Sequence, residues 1–269
     1  MDHLFLNETF ETLWRGKDVF KEAFQLSGES FRKVKSRHTF RFELGEQGYF
    51  AKLHTGCGWK EIFKNLFQGK MPVLGASQEY KAIRHLEMIQ VPTMKPCAYA
   101  SKGINPANIT SFLITEELAN TVSLEDFCKD WKTNPPPYHI KAKIIENLGK
   151  MIGKMHRSGL NHRDCYLCHF LLDKSSLHEH TVRLSVIDLH RAQIRKQVPS
   201  RYIIKDLSGL LFSAMDLPLT GRDICRFIQA YTQQPVHIVL PKQRKFFNRF
   251  YKVAVKLYKK VHKKSPKNL

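Results

Sequence analysis

Directly after a periodic apolar segment comes the run His162-Arg163-Asp164-Cys165-Tyr166-Leu167-Cys168-His169-Phe170-Leu171-Leu172-Asp173, and further on Leu184-Ser185-Val186-Ile187-Asp188-Leu189-His190. The two runs place one acid in a polar loop and another at the end of a β-branched strand. Moving a phosphoryl group to an alcohol needs one carboxylate to accept the hydroxyl proton and another to hold a divalent cation against phosphate oxygens. Asp164 suits the first role as catalytic base, and Asp188 the second as a magnesium ligand. His-Arg-Asp alone recurs by chance in long sequences. Helix, polar loop, apolar strand and then Asp are far more specific, being the order of kinase catalytic and metal-binding loops. Arg163 is expected to support the loop structurally.

Lys52 extends the set. It lies in an expected strand where a kinase fold needs a cation for the α- and β-phosphates of ATP, and a Glu on a following helix would hold it. Glu79 and Glu61 both qualify; Glu79 is preferred because its helix is better patterned. A surface lysine at a strand edge is the plainer reading of Lys52. The apolar strand ending in Thr115-Glu116-Glu117-Leu118 would form the hinge, with backbone groups from Glu116 to Leu118 bonding the adenine edge. Two departures from ordinary protein kinases stand out. No G-x-G-x-x-G precedes the first clear strand; Arg32, Lys33, Lys35, Arg37 and His38 stand there instead, as a phosphate grip or a solvated basic face. The second metal ligand, normally Asn five residues after the catalytic Asp, is His169, and imidazole suits magnesium less well than oxygen does. Without Asp-Phe-Gly or Ala-Pro-Glu, a protein substrate docked on a long activation segment is not expected.

Cys165-Tyr166-Leu167-Cys168-His169 also fits the C-x-x-C-H pattern of haem attachment, and His162, Cys165, Cys168 and His169 could in principle bind zinc. Haem attachment needs export, and no signal peptide is visible at the N-terminus. Four zinc ligands crowded into so short a run make a poor structural site. Both cysteines are read as half-buried packing residues beside the loop.

These residues need two kinds of support. Residues 38–44 alternate apolar and polar, 45–48 form a turn, and 49–53 return as a second strand. Residues 59–68 and 77–89 carry apolar residues at helical spacing, the first placing Ile62, Phe63, Leu66 and Phe67 together and stopping at Gly69. Residues 110–117 form a third strand. In the second half Ile140, Ile144, Ile145, Leu148, Met151, Ile152 and Met155 mark the clearest helix, with Gly159 as its stop. Helices are also expected over 206–215 and 221–231. The expectation is α+β: a two-lobed protein-kinase-like fold with a small β-rich N-lobe over 1–118, a mainly helical C-lobe over 119–241, and a basic amphipathic helix over 242–269.

Charge narrows the partners. The net charge is +20, and residues 224–269 contain no Asp or Glu. Such an excess implies an acidic partner: an anionic membrane, a polyanionic substrate, an acidic protein or nucleic acid. Nucleic acid is disfavoured because no recognised binding module accompanies the charge. In the tail, Phe246 or Phe247, Phe250, Ala254, Leu257 and Val261 form a stripe. Lys245, Arg249, Lys252, Lys256, Lys259, Lys260 and Lys263 largely occupy the other faces. That pattern suits a helix lying on an anionic membrane, or one packed on the domain with its lysines in water. The six scattered cysteines and the absence of an apolar run of about 18 residues point to a cytoplasmic protein.

Taken together, Thr12-Leu13-Trp14-Arg15-Gly16-Lys17, Met71-Pro72-Val73-Leu74-Gly75-Ala76, Ser123-Leu124-Glu125-Asp126, Asn161 through Tyr166 with Cys168 through Leu172, and Val186 through Ala192 resemble the lipopolysaccharide core heptose(I) kinase family. The resemblance extends to about Tyr231. It implies transfer of the γ-phosphate of ATP, with Mg2+, to the first heptose of the inner core on a lipid A-core glycolipid. It also implies that His169 in the Asn position is normal, and a peripheral location on the cytoplasmic face of a Gram-negative inner membrane. An acidic soluble partner such as acyl carrier protein would suit the same charge. The competing expectations are a small-molecule kinase of the aminoglycoside or choline type and a membrane-bound pseudokinase scaffold.

Overall fold

The computed structural model describes residues 3–34, 36–67, 72–178 and 181–266. The chain divides into two units, Met1–Arg84 with Met94–Ala119, and His85–Thr93 with Asn120–Leu269.

The first unit is built on one antiparallel sheet. Its elements are β1 (His3–Leu6), α1 (Glu8–Leu13), α2 (Val19–Gln25), β2 (Glu29–Val34), β3 (Arg37–Leu44), β4 (Gln47–Thr55), α3 (Gly58–Phe67), α4 (Ser77–Met88), β5 (Pro96–Lys102) and β6 (Thr110–Glu116). The six strands run in the order β1-β5-β6-β4-β3-β2. Alternation does what the sequence implies: Phe40 and Phe42 of β3, and Tyr49, Ala51 and Leu53 of β4, face one buried side. Two short helices close that side. Asn7 and Asp18 accept hydrogen bonds from the first-turn N–H groups of α1 and α2. The caps bring Phe10, Trp14, Val19 and Phe20 into the same cluster. On α3 only Ile62 is buried, while Phe63, Leu66 and Phe67 are exposed, so the shared face expected for this helix does not pack inward. Gln68 and Gly69, its expected end, lie outside the described residues.

The second unit is mainly helical. It contains β7 (Thr121–Ser123), α5 (Leu124–Phe127), α6 (Tyr138–Arg157), β8 (Leu160–Asn161), β9 (Phe170–Asp173), α7 (Ser175–His178), β10 (Leu184–Val186), β11 (Gln193–Ile194), α8 (Ser200–Ala214), α9 (Gly221–Thr232) and α10 (Val236–His262). Every apolar residue expected to mark α6 is buried. Helix α8 begins at Ser200, six positions before its expected start at 206, because its first turn after Pro199 carries polar residues that hide the periodicity.

The tail requires a correction. Gln243 leaves helical geometry just after Pro241, which lacks an N–H for the helical ladder. Beyond that kink Phe247, Ala254 and Tyr258 are buried, packed among Ile228, Met215 and their neighbours on α8 and α9. Ser208 donates to the Phe250 carbonyl at 3.0 Å, and the Tyr258 hydroxyl to Asp216 at 2.7 Å. The apolar stripe read as a membrane-facing surface is therefore interior, with Val261 its exposed member. The lysines stay in water. Among the described residues no helix is long and apolar enough to cross a membrane.

Candidate active site

Lys52 sits on β4 between β3 and β6, in register with Thr39 and Leu113. Its neighbours Ala51 and Leu53 turn into the core, so Lys52 projects from the opposite face. There its Nζ lies 2.6 Å from Oε1 of Glu79 on α4, a carboxylate that is 2% exposed. Glu61 is exposed on α3 and lies 3.7 Å from Lys64. The structure thus pairs Lys52 with Glu79. Losing one partner of a buried ion pair leaves an uncompensated charge, at a cost of about 3–5 kcal/mol. The pair therefore fixes an ammonium group in one place, as phosphate neutralisation requires.

The hinge segment differs in part from expectation. The N–H of Glu116 donates to the Lys95 carbonyl, and that of Glu117 to the Gly48 carbonyl, both at 2.9 Å. Those two donors are used within the sheet, so neither can bond an adenine edge.

In the second unit the catalytic loop is held from several directions. Gly159 ends α6 with φ +90°, where a Cβ would come within 1.8 Å of the Arg195 carbonyl oxygen. After β8, His162 is fully buried. Its Nε2 donates to the Ile187 carbonyl at 2.9 Å, and its ring stacks on His169 with centroids 5.5 Å apart. Burial holds its pKa below the ordinary histidine value. Arg163 follows with φ +73°, a left-handed conformation costing a non-glycine residue about 1–3 kcal/mol.

Asp206 of α8 holds this turn. It is 1% exposed and accepts from the N–H of His162 at 2.6 Å and of Arg163 at 2.8 Å. One turn further along α8, Gly209 leaves room for the Cys165 carbonyl, which a Cβ would meet at 2.9 Å. Asp164 is thereby presented on a loop whose backbone is tied to a helix. Its two carboxylate oxygens lie 2.8 and 3.0 Å from Nη1 of Arg191. One donor nitrogen shared between two oxygens leaves carboxylate lone pairs to accept a hydroxyl proton. Arg163 makes its visible contribution through its backbone; its Nε is buried without a hydrogen-bond partner.

Asp188 stands just beyond β10 with φ +59°, the second left-handed residue at a chemistry-bearing position. Its Oδ1 accepts from Nδ1 of His190 at 2.6 Å, and its Oδ2 lies 3.5 Å from Nε2 of His169. Nδ1 of His169 is 2.7 Å from the Asp164 carbonyl, which can only accept, so that nitrogen carries the proton. In the neutral ring Nε2 then presents a lone pair toward a carboxylate oxygen. A cation between the two groups would resolve that opposition. The Asp188 carboxylate fits magnesium, which takes few protein ligands and completes its shell with phosphate oxygens and water, while the His169 imidazole is the weaker donor for it. Among the described residues no group of three or more His, Cys, Asp and Glu could hold a metal ion.

The cysteines read as packing. Burial pushes the Cys165 thiol well above its ordinary range and, with Glu125 nearby, raises that of Cys168 to about 11. Sequence reasoning assigned no role to Asp206, Arg191 or His190. A signal for Asp206 was present: a single acid at the head of the apolar run 207–212. His190 and Arg191 follow Asp188 so closely that the same turn must carry them.

A family model described as the lipopolysaccharide kinase (Kdo/WaaP) family matches residues 21–231. A lipopolysaccharide core heptose(I) kinase WaaP of Escherichia coli is 48% identical, over 97% of this chain and 98% of its own length. One from Pseudomonas aeruginosa is 46% identical, with 96% of each chain covered. A solved structure, WaaP in complex with acyl carrier protein, superposes with a TM-score of 0.83 at 42% identity, covering 95% of this chain and 99% of that one. The likeness thus runs along nearly the whole sequence, and the chain belongs to the lipopolysaccharide kinase (Kdo/WaaP) family.

Proposed function

We propose that this protein transfers the γ-phosphate of ATP to the first heptose of the lipopolysaccharide inner core. The observation that carries this reading is the Asp164 carboxylate, held on its loop by Asp206 and oriented by Arg191, in a chain nearly half identical to heptose(I) kinases. Asp164 accepts the heptose hydroxyl proton as the hydroxyl oxygen attacks the γ-phosphorus and the bond to the β–γ bridging oxygen breaks, releasing ADP. Lys52, fixed by Glu79, neutralises phosphate oxygens of the nucleotide. Asp188 and His169 would hold magnesium, which when bound screens charge on the phosphates. Backbone groups of Glu116 and Leu118, other than the N–H of Glu116, would meet the adenine edge. The acceptor is a lipid A-core glycolipid, which places the enzyme at the cytoplasmic face of the inner membrane.

An acidic carrier protein fits a separate surface. Lys245, Arg249, Lys252 and Lys256 line one face of α10. Asn248, on the same face, also lines an apolar cavity of about 330 Å³ formed with Trp131, Leu148, Leu210 and Phe247. Acyl carrier protein, the partner in the related solved structure, would match both the charge and the cavity.

The test supplies labelled ATP and lipopolysaccharide from a strain lacking core phosphate. Label should enter the heptose with the wild-type protein and not with Asp164→Ala. Equal labelling by both would remove Asp164 as the base, and no labelling by either would favour a scaffold.

A further inference from the structure

Helix α3 turns its apolar side chains outward. Trp59, Phe63 and Phe67, spaced one turn apart, are 49%, 50% and 90% exposed, and Leu66 beside them is 50% exposed. Trp59 and Phe63 stack with ring centroids 5.7 Å apart, so they form one continuous surface. Ile62, 5% exposed, faces the other way and anchors the helix to its unit. Lys60 and Lys64 flank the aromatic face and are themselves exposed. Aromatic side chains in a row with lysines along the margin are the composition of a helix lying in a membrane interface.

A second basic element stands at the same end of the sheet. Arg37 pairs with His54 in the β3–β4 register, and the Thr55 N–H donates to the Ser36 carbonyl at 3.1 Å. The tip of the β2–β3 hairpin therefore lies against the end of β4, the strand that leads into α3. That hairpin carries exposed Arg32 and Lys33, with Phe31 and Val34 exposed beside them at 59% and 47%. Two apolar, lysine- and arginine-flanked elements thus share one end of the first unit.

We propose that this end, led by the Trp59–Phe63–Phe67 face of α3, docks the protein on an anionic lipid bilayer. Charge complementarity selects that occupant. Exposed Glu61 lies 3.7 Å from Lys64, which leaves Lys60 with Arg32 and Lys33 of the hairpin as the excess charge. A second copy would meet that excess with like charge, whereas acidic headgroups meet it with opposite charge. The tail is not equivalent, because its apolar residues are packed inside the second unit. The proposal is compatible with the glycolipid acceptor but needs neither nucleotide nor acceptor, so the two readings fail separately.

The structure supplies its own reporter. Of the three tryptophans, Trp14 and Trp131 are 3% and 4% exposed, which leaves Trp59 to sense added lipid. The full chain is mixed, without ATP, with vesicles of phosphatidylcholine alone or with phosphatidylglycerol added, and partition is read by co-sedimentation. Anionic vesicles should blue-shift the emission, chain-brominated lipid should quench it, and Trp59→Phe should abolish both changes. The double variant Phe63→Ser/Phe67→Ser should lose at least about tenfold in partition. Val261→Ser, at the exposed tail residue, should leave it unchanged. Unaltered partition of the Phe63→Ser/Phe67→Ser protein would overturn the proposal. So would a loss caused by Val261→Ser, or a Trp59 shift that follows protein concentration without vesicles.

Discussion

Replacing Asp206 by Ala removes a side chain that accepts from two consecutive N–H groups of the catalytic loop. The His162 donor is buried and the Arg163 donor partly so, and each left without a partner costs up to about 1–3 kcal/mol. Part of this is offset as Arg163 relaxes from its left-handed conformation, so the net loss of stability should be about 2–4 kcal/mol. That relaxation matters for rate, because Asp164 is the next residue. A base displaced by about 1 Å loses roughly 100-fold in kcat. KM for ATP should change little, since Lys52 and Glu79 belong to the other unit. Asp206→Asn keeps one acceptor and should fall between the two, which preserves the test if the Ala protein does not fold. Denaturant unfolding and steady-state labelling of lipopolysaccharide measure the two effects. Both variants keeping kcat within about threefold and stability within about 0.5 kcal/mol would refute the tether.

Three further outcomes follow from the geometry. Glu79→Gln keeps the shape of the partner but not its charge, and should raise KM for ATP by about tenfold, read from initial rates over an ATP series. Asp188→Asn weakens the only carboxylate proposed for magnesium, so the concentration of Mg2+ giving half-maximal rate should rise by at least about tenfold, and chelation should abolish wild-type activity. Asp223 caps α9 and lies 2.8 Å from Lys141; desolvation raises its pKa, but hydrogen bonds from Lys141 and Thr220 outweigh this and hold it below the usual aspartate value. A depressed carboxylate contributes stability above its unfolded pKa and loses it as pH falls through the folded one. Wild-type stability should therefore drop from about pH 4 downward more steeply than that of Asp223→Asn, by acid titration of circular dichroism.

Where a pattern is long, the sequence disclosed the structure. The apolar positions of α6 and the alternation of β3 and β4 predict their buried faces because each element meets the core along its whole length. Helices α1 and α2 are too short to show a period, and only their caps at Asn7 and Asp18 announce them. At the site, Asp164, Asp188, Lys52 and His169 stood out as candidates in the sequence because phosphoryl transfer demands residues of those types. Their supports were not. Arg191 and Asp206 act across chain separations of 27 and 43 residues, and no local pattern encodes such contacts.

The two lysine-flanked helices show where periodicity stops being informative. Both α3 and α10 carry an apolar stripe, and a stripe states that a surface will be covered without stating by what. The choice of residue resolves it. On α10 the stripe includes Ala254, fully buried beside Leu211 and Phe212 of α8, and Ser208 of α8 donates to the Phe250 carbonyl, so the two helices pack closely. Its aromatic Tyr258 also finds a hydrogen-bond acceptor in Asp216. The stripe on α3 contains no small residue, and its Trp59, Phe63 and Phe67 are 49%, 50% and 90% exposed. Such a surface fits a deformable environment better than a packed one. Lysines beside a packed stripe only hydrate it, whereas lysines beside an open aromatic stripe add attraction to acidic headgroups. In the proposed docking the membrane contact therefore falls to α3 rather than to the tail, whose outward lysines remain in water.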